Sequence, residues 1–141
     1  MLSRLPIALA LMGLCVVIHA TGLTWALRRL RSGPAQILGF WRVARLFVLV
    51  AIWIVLLHLV EIAVWAEFYR WRGAMPDLAS ALYFSAVTYT TTGYGDLVLP
   101  GGWRIVGGVE ALTGILMCGW STGFFFAVVN RVHDVSPDAP Q

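Results

Sequence analysis

The sequence contains no lysine and little charge of any kind: Asp, Glu, Lys and Arg make up 12% of its 141 residues. A soluble domain of this length carries about 25% charged residues. With 60% hydrophobic residues, the composition excludes an ordinary soluble domain and points to a membrane protein. Because lysine is absent, the formal charge of +3 rests on arginine alone, and the arginines are clustered. Clustered arginine in an apolar chain speaks to membrane topology and not to nucleic acid. Cysteine is scarce too. Cys15 and Cys118 both lie inside apolar stretches, where they read as small hydrophobes and suggest neither a disulfide framework nor a zinc site. There is no internal repeat and no low-complexity segment, and at this length no separate soluble enzyme domain is expected.

What is present is a succession of apolar stretches. An N-terminal span covers 1–27; its apolar part, from about Leu5 to Leu27, extends roughly 35 Å as a helix, enough to cross a bilayer with some tilt. Residues 28–45 form a basic loop holding Arg28, Arg29, Arg31, Arg42 and Arg45 and no acidic residue, with a helix-breaking Gly-Pro pair at 33–34. A second span is expected over 46–68, followed by an interfacial turn. Residues 77–90 are too short to span but long enough for a half-helix, with Asp77 a suitable N-cap. A last span covers 103–129, and the polar tail 130–141, which includes His133, reads as disordered. Trp41, Trp65, Trp71 and Trp103 fall near the expected interfaces and read as belt residues.

The arginines set the orientation. The positive-inside bias puts the 28–45 loop in the cytoplasm, the N-terminus outside and the C-terminus inside a multi-pass protein of the cell membrane. Arg4 then faces outward, a small violation. A cleavable signal peptide over 1–20 would leave the arginine cluster outside, and the apolar run continues past the length of a typical signal, so an uncleaved span is expected. Arg42 and Arg45 are too few, and too near the edge, for a voltage sensor.

Between the half-helix and the last span lies "TTTGYGD", residues 90–96. In hydrocarbon, irregular backbone survives only if buried in protein or lining a watery path. Gly93 and Gly95 oppose a helix here, but they permit an alternation of left- and right-handed backbone that turns successive carbonyls to one side. Stacked carbonyls can replace the water shell of a cation. One copy supplies only one wall, so a ring of subunits is expected, with the threonine and tyrosine side chains packed behind it.

"TTTGYGD", preceded by "ALYFSAVTY" and flanked by two spans, resembles the potassium-channel pore domain over about residues 46–130, with Thr92 where valine or isoleucine is usual. The resemblance implies an all-α membrane fold in which a re-entrant half-helix and filter loop (91–96) are held between two spans, here with one extra N-terminal span placed at the periphery. It implies a homotetramer, each chain meeting three identical subunits and membrane lipid, that passes K+ and needs no cofactor beyond that ion. The K+ ligands it implies are the carbonyls of Thr91, Thr92, Gly93 and Tyr94 with the Thr91 hydroxyl, Gly95 completing the filter. Asp96 stands where the family's outer-mouth aspartate bonds an aromatic, here Tyr83; Phe84 lacks a donor, and Val87 replaces a glutamate found in some members. Gly114 stands at the hinge glycine of the inner helix, where hinge and close-packing roles both remain open. Ile115, Cys118 and Thr122 then face the cavity, and Phe126 is a candidate gate.

Glu110 falls about 10 Å along the last helix, on a face directed behind the filter. It reads either as a neutral carboxyl bonded to the half-helix or as a proton sensor coupled to the filter. His58 and Glu61 are expected to reach a similar depth; as a metal pair, two ligands make a poor site. Other readings are a less selective cation channel, a non-conducting subunit with a vestigial loop, and an intramembrane enzyme, for which no nucleophile is evident. With no ligand-binding domain in view, control by voltage across the filter, pH, lipid, tension or a partner is expected.

Overall fold

The structure, a computed structural model, describes residues 2–31 and 39–134. The Gly-Pro pair at 33–34 and the tail from 135 onward lie outside the described residues. Among the described residues the chain is helical, with no strand. A 3₁₀ turn at Leu2–Arg4 leads into α1 (Leu5–Arg31), followed by α2 (Phe40–Trp71), α3 (Leu78–Tyr89) and α4 (Arg104–Asp134). Three of these, α1, α2 and α4, are long and apolar enough to cross a membrane.

The helices outrun the apolar stretches that nucleate them. Arg28, Arg29 and Arg31 extend α1, Arg42 and Arg45 open α2, and α4 continues past 129. Arginine is a good helix former, and the backbone gains nothing by unwinding at the membrane edge. The basic segment expected as a loop over 28–45 is therefore partly two helix ends. The short α3 begins where its cap predicts: Asp77 accepts from the Ser80 N–H at 2.8 Å and from its hydroxyl at 2.9 Å. The Ser80 N–H bond holds the Asp77 carboxyl below the usual range.

The half-helix lies against α2 and α4, while α1 packs chiefly on α2 and α4. The inward face of α2 recurs at three- and four-residue spacing: Leu57, Glu61, Ile62, Trp65, Ala66, Phe68 and Tyr69 are buried. Trp65 is thus a core residue, fully buried, and not part of a lipid-facing belt. Trp103 is buried as well, its ring edge-on to Phe68 and its face covered by the Arg4 guanidinium at 3.7 Å. Trp41 and Trp71 remain exposed. The Arg4 contact ties the start of α1 to the same end of the molecule as the start of α4. α1 and α2 are further joined by the Trp53 indole, which donates to the Gly22 carbonyl at 3.1 Å.

A cation over an aromatic face contributes about 0.5–2 kcal/mol, more when desolvated. A double-mutant cycle of Arg4→Ala and Trp103→Leu, read by thermal unfolding in detergent, is expected to return a coupling of about 0.5–2 kcal/mol. Strict additivity would show that the stacking contributes nothing.

Candidate functional site

The half-helix is seated by one glycine. A Cβ built on Gly114 would stand 1.8 Å from the carbonyl oxygen of Tyr89, the last residue of α3. Only a residue without a side chain lets α4 approach the half-helix end this closely. Between the two roles open for Gly114, close packing is the one with a visible contact. Gly114 lies ten residues into α4, about 15 Å from its outer end, so the C-terminal end of α3 is held near mid-membrane. The negative end of its dipole is directed there.

The loop hangs from that end. The Thr91 N–H bonds the Thr88 carbonyl at 2.9 Å, and the Gly93 N–H reaches back to the Val87 carbonyl at 3.0 Å. Positive φ angles occur at Thr91 (59°), Gly93 (53°) and Gly95 (79°), and not at Thr92 or Tyr94. Left-handed residues alternating with others are the backbone pattern that can turn successive carbonyls to one side of a chain. Glycine adopts such angles freely, whereas a β-branched threonine is strained by about 1–3 kcal/mol. A strained residue persists only where its surroundings over-determine it, and the two bonds to α3 on either side of Thr92 do this.

The side chains behave unequally. The Thr92 hydroxyl meets that of Thr90 at 2.9 Å, at the end of the half-helix. Tyr94, expected to pack behind the carbonyls, is 72% exposed in a single chain. The Tyr83 hydroxyl donates to Asp96 at 2.7 Å, linking the outer part of the loop to the half-helix. That phenol holds the Asp96 carboxyl below its ordinary range.

Two polar clusters lie behind the loop. In the outer one, the Tyr69 hydroxyl donates to Glu110 at 2.7 Å, and Ser85 of the half-helix contacts both Glu110 and, at 3.0 Å, the Ile62 carbonyl. The inner cluster is a closed ring. His19 Nδ1 meets Glu61 at 2.9 Å, the Tyr89 hydroxyl bonds the other oxygen of Glu61, and His58 Nδ1 meets Tyr89 at 3.0 Å. Ser121 closes it, 3.2 Å from His58 Nε2 and 3.0 Å from His19 Nε2. The two clusters meet the half-helix one turn apart, at Ser85 and at Tyr89, roughly 6 Å along its axis.

His19 and Ser121 belong to no motif in the sequence, and through His19 α1 is more than a peripheral helix. A histidine within an apolar run is itself a signal, since ionisable groups inside membranes need partners. Toward the other end of α4, Ile115, Cys118, Thr122 and Phe126 are exposed in the single chain. Cys118, Thr122 and Phe126 line a groove of about 490 Å³ together with Ile54, Val55 and His58 of α2; Ile115 does not reach it.

The profile of a protein family described as "Ion channel" matches residues 46–131, which takes in most of α2, all of α3 and the loop, and most of α4, and leaves α1 outside. No curated protein and no solved structure matches the chain.

Gly114→Ala is expected to cost at least about 1–3 kcal/mol, since the obstructing atom is backbone and no rotamer relieves it; thermal unfolding in detergent measures this, and a wild-type melting temperature would refute the seating. The Tyr83–Asp96 bond contributes stability that is complete above the ordinary carboxyl range and is lost as pH falls through the lowered folded-state value. In Tyr83→Phe the Asp96 carboxyl is expected to titrate at higher pH than in the wild type, followed by NMR of the carboxyl carbon.

Proposed function

On the premise that the chain belongs to the ion channel family matched over 46–131, we propose that it forms a homotetrameric, potassium-selective channel whose filter is the backbone of Thr91 to Gly95. The observation that carries this reading is the alternation of positive φ at Thr91, Gly93 and Gly95 in a loop bonded to the inner end of a half-helix. Carbonyls turned to one side substitute for the water around a cation and suit one that sheds its hydration.

The requirement for several copies comes from exposure. Residues 90–96 are open to the surroundings in one chain, at a depth where exposed irregular backbone has no solvent to satisfy it. Copies arranged about an axis would enclose these residues, give the Tyr94 rings a neighbour, and turn Ile115, Cys118, Thr122 and Phe126 toward a shared cavity. The Tyr83–Asp96 bond braces the outer mouth, and the polar clusters of Glu110 and Glu61 brace the half-helix from behind. The gate reading for Phe126 is supported by its position on the inner part of α4 and its exposed side chain.

For orientation, Arg28, Arg29, Arg31, Arg42, Arg45 and Arg131 gather at one end of the bundle, against Arg4, Arg70, Arg72 and Arg104 at the other. The second end also carries Glu67, Asp77 and Asp96. The positive-inside bias assigns the first end, and both the α1–α2 connection and the C-terminus, to the cytoplasm.

Purified protein in planar bilayers with opposed potassium and sodium solutions is expected to reverse near the potassium equilibrium potential, and chemical cross-linking to stop at four subunits. Gly93→Ala, which puts a Cβ on a left-handed residue, is expected to abolish that selectivity. A reversal potential near zero would favour a less selective cation channel, and a folded tetramer without current would favour a non-conducting subunit.

A further inference from the structure

On α2 alone, His58 and Glu61 are two ligands and no more. The fold adds a third from α1: one donor atom from each of His19, His58 and Glu61 lies within 4.8 Å of the other two. The Tyr89 hydroxyl is a fourth, bonded to Glu61 and 3.0 Å from His58 Nδ1. A tetrahedral zinc ion with nitrogen and oxygen ligands at about 2.0–2.2 Å needs its donors roughly 3.3–3.5 Å apart. His19 Nδ1 lies 2.9 Å from Glu61 Oε1 and His58 Nδ1 3.8 Å from Glu61 Oε2, so the two imidazoles face different oxygens of one carboxylate at about the spacing a shared ion needs.

The imidazoles are also oriented as metal ligands are. Both turn Nδ1 toward the carboxylate and both turn Nε2 to the Ser121 hydroxyl, at 3.0 and 3.2 Å. A metal-bound histidine keeps its ring fixed by donating the remote N–H to an oxygen, and one hydroxyl has two lone pairs to accept both. His19 and Glu61 are fully buried, so the carboxylate would balance an ion's charge in a place where unpaired charge is expensive. His58 is the partly open member and lines the 490 Å³ groove between α2 and α4, which gives the site a path of entry.

We propose that His19, His58, Glu61 and Tyr89 form a four-donor site for one zinc-type divalent ion per chain, with Ser121 holding both imidazoles. This ion is held behind the half-helix, not conducted through the loop. It would join α1, α2 and the inner end of α3 by coordinate bonds. The donor set of imidazole, carboxylate and phenol suits zinc and its neighbours among the transition metals better than calcium or magnesium.

The full chain in detergent, stripped with chelator, tests this by titration with Co2+ followed by visible spectroscopy and with Zn2+ by calorimetry. One ion per chain is expected, with the ligand-field bands of tetrahedral cobalt, lost on adding Zn2+. Ser121→Ala is expected to weaken binding roughly 10–100-fold, His19→Gln to remove the bands, and Cys118→Ser to leave them. X-ray absorption of the zinc-loaded wild type requires no variant and is expected to show only nitrogen and oxygen ligands at about 2.0–2.2 Å. The site is refuted if the folded wild type binds no metal saturably, if sulfur appears in the coordination shell, or if the bands survive His19→Gln. None of these readouts involves ion flux, so they stand or fall apart from potassium selectivity.

Discussion

A peptide group in hydrocarbon has no water to bond, and this constraint governs how the loop after α3 can exist at all. The chain meets it by seating the half-helix end against α4 and then hanging the loop from that end. The seat is Gly114, whose missing side chain admits the Tyr89 carbonyl; the hanger is the bond from the Gly93 N–H to the Val87 carbonyl. Once the half-helix is held at that depth, the following residues have few conformations left. The left-handed angle at Thr91 is the visible consequence, a local cost tolerated because the bonds around it leave no alternative.

Holding a short helix inside a membrane raises a second difficulty. Lipid provides no hydrophobic gain for pressing one apolar helix on another, so position must come from packing and hydrogen bonds. The molecule uses two polar clusters at different depths. Glu110, Tyr69 and Ser85 bind the half-helix to α2 and α4 at the outer level. At the inner level, the ring through Glu61, His19, Ser121, His58 and Tyr89 touches all four helices. Buried polar groups are costly when half satisfied, but a closed ring gives each member its partners and specifies a single register between helices. The same ring accounts for the helix that lies outside the family match: α1 enters the core through His19.

Much of this architecture was legible beforehand. Asp77 announced the half-helix, the glycines at 93 and 95 announced backbone that could be neither helix nor strand, and Tyr83 was the aromatic paired with Asp96. A residue's surroundings, by contrast, are set by neighbours that its local sequence does not specify. Trp65, near an expected interface, turned out to face α1 and not lipid, since a helix position has an inside and an outside only once a neighbour is present.

The amino-acid order by itself determined the spans, the half-helix and the irregular loop. Each depends on properties carried by neighbouring residues: apolar length, a capping side chain, the backbone freedom of glycine. Only the tertiary structure decided which intramembrane polar groups meet. His19 and Ser121 are 102 positions apart, and no local rule connects them. Their contact follows from how three long helices align once α4 closes on the half-helix, because a helical period tells which residues share a face but not which face it will meet.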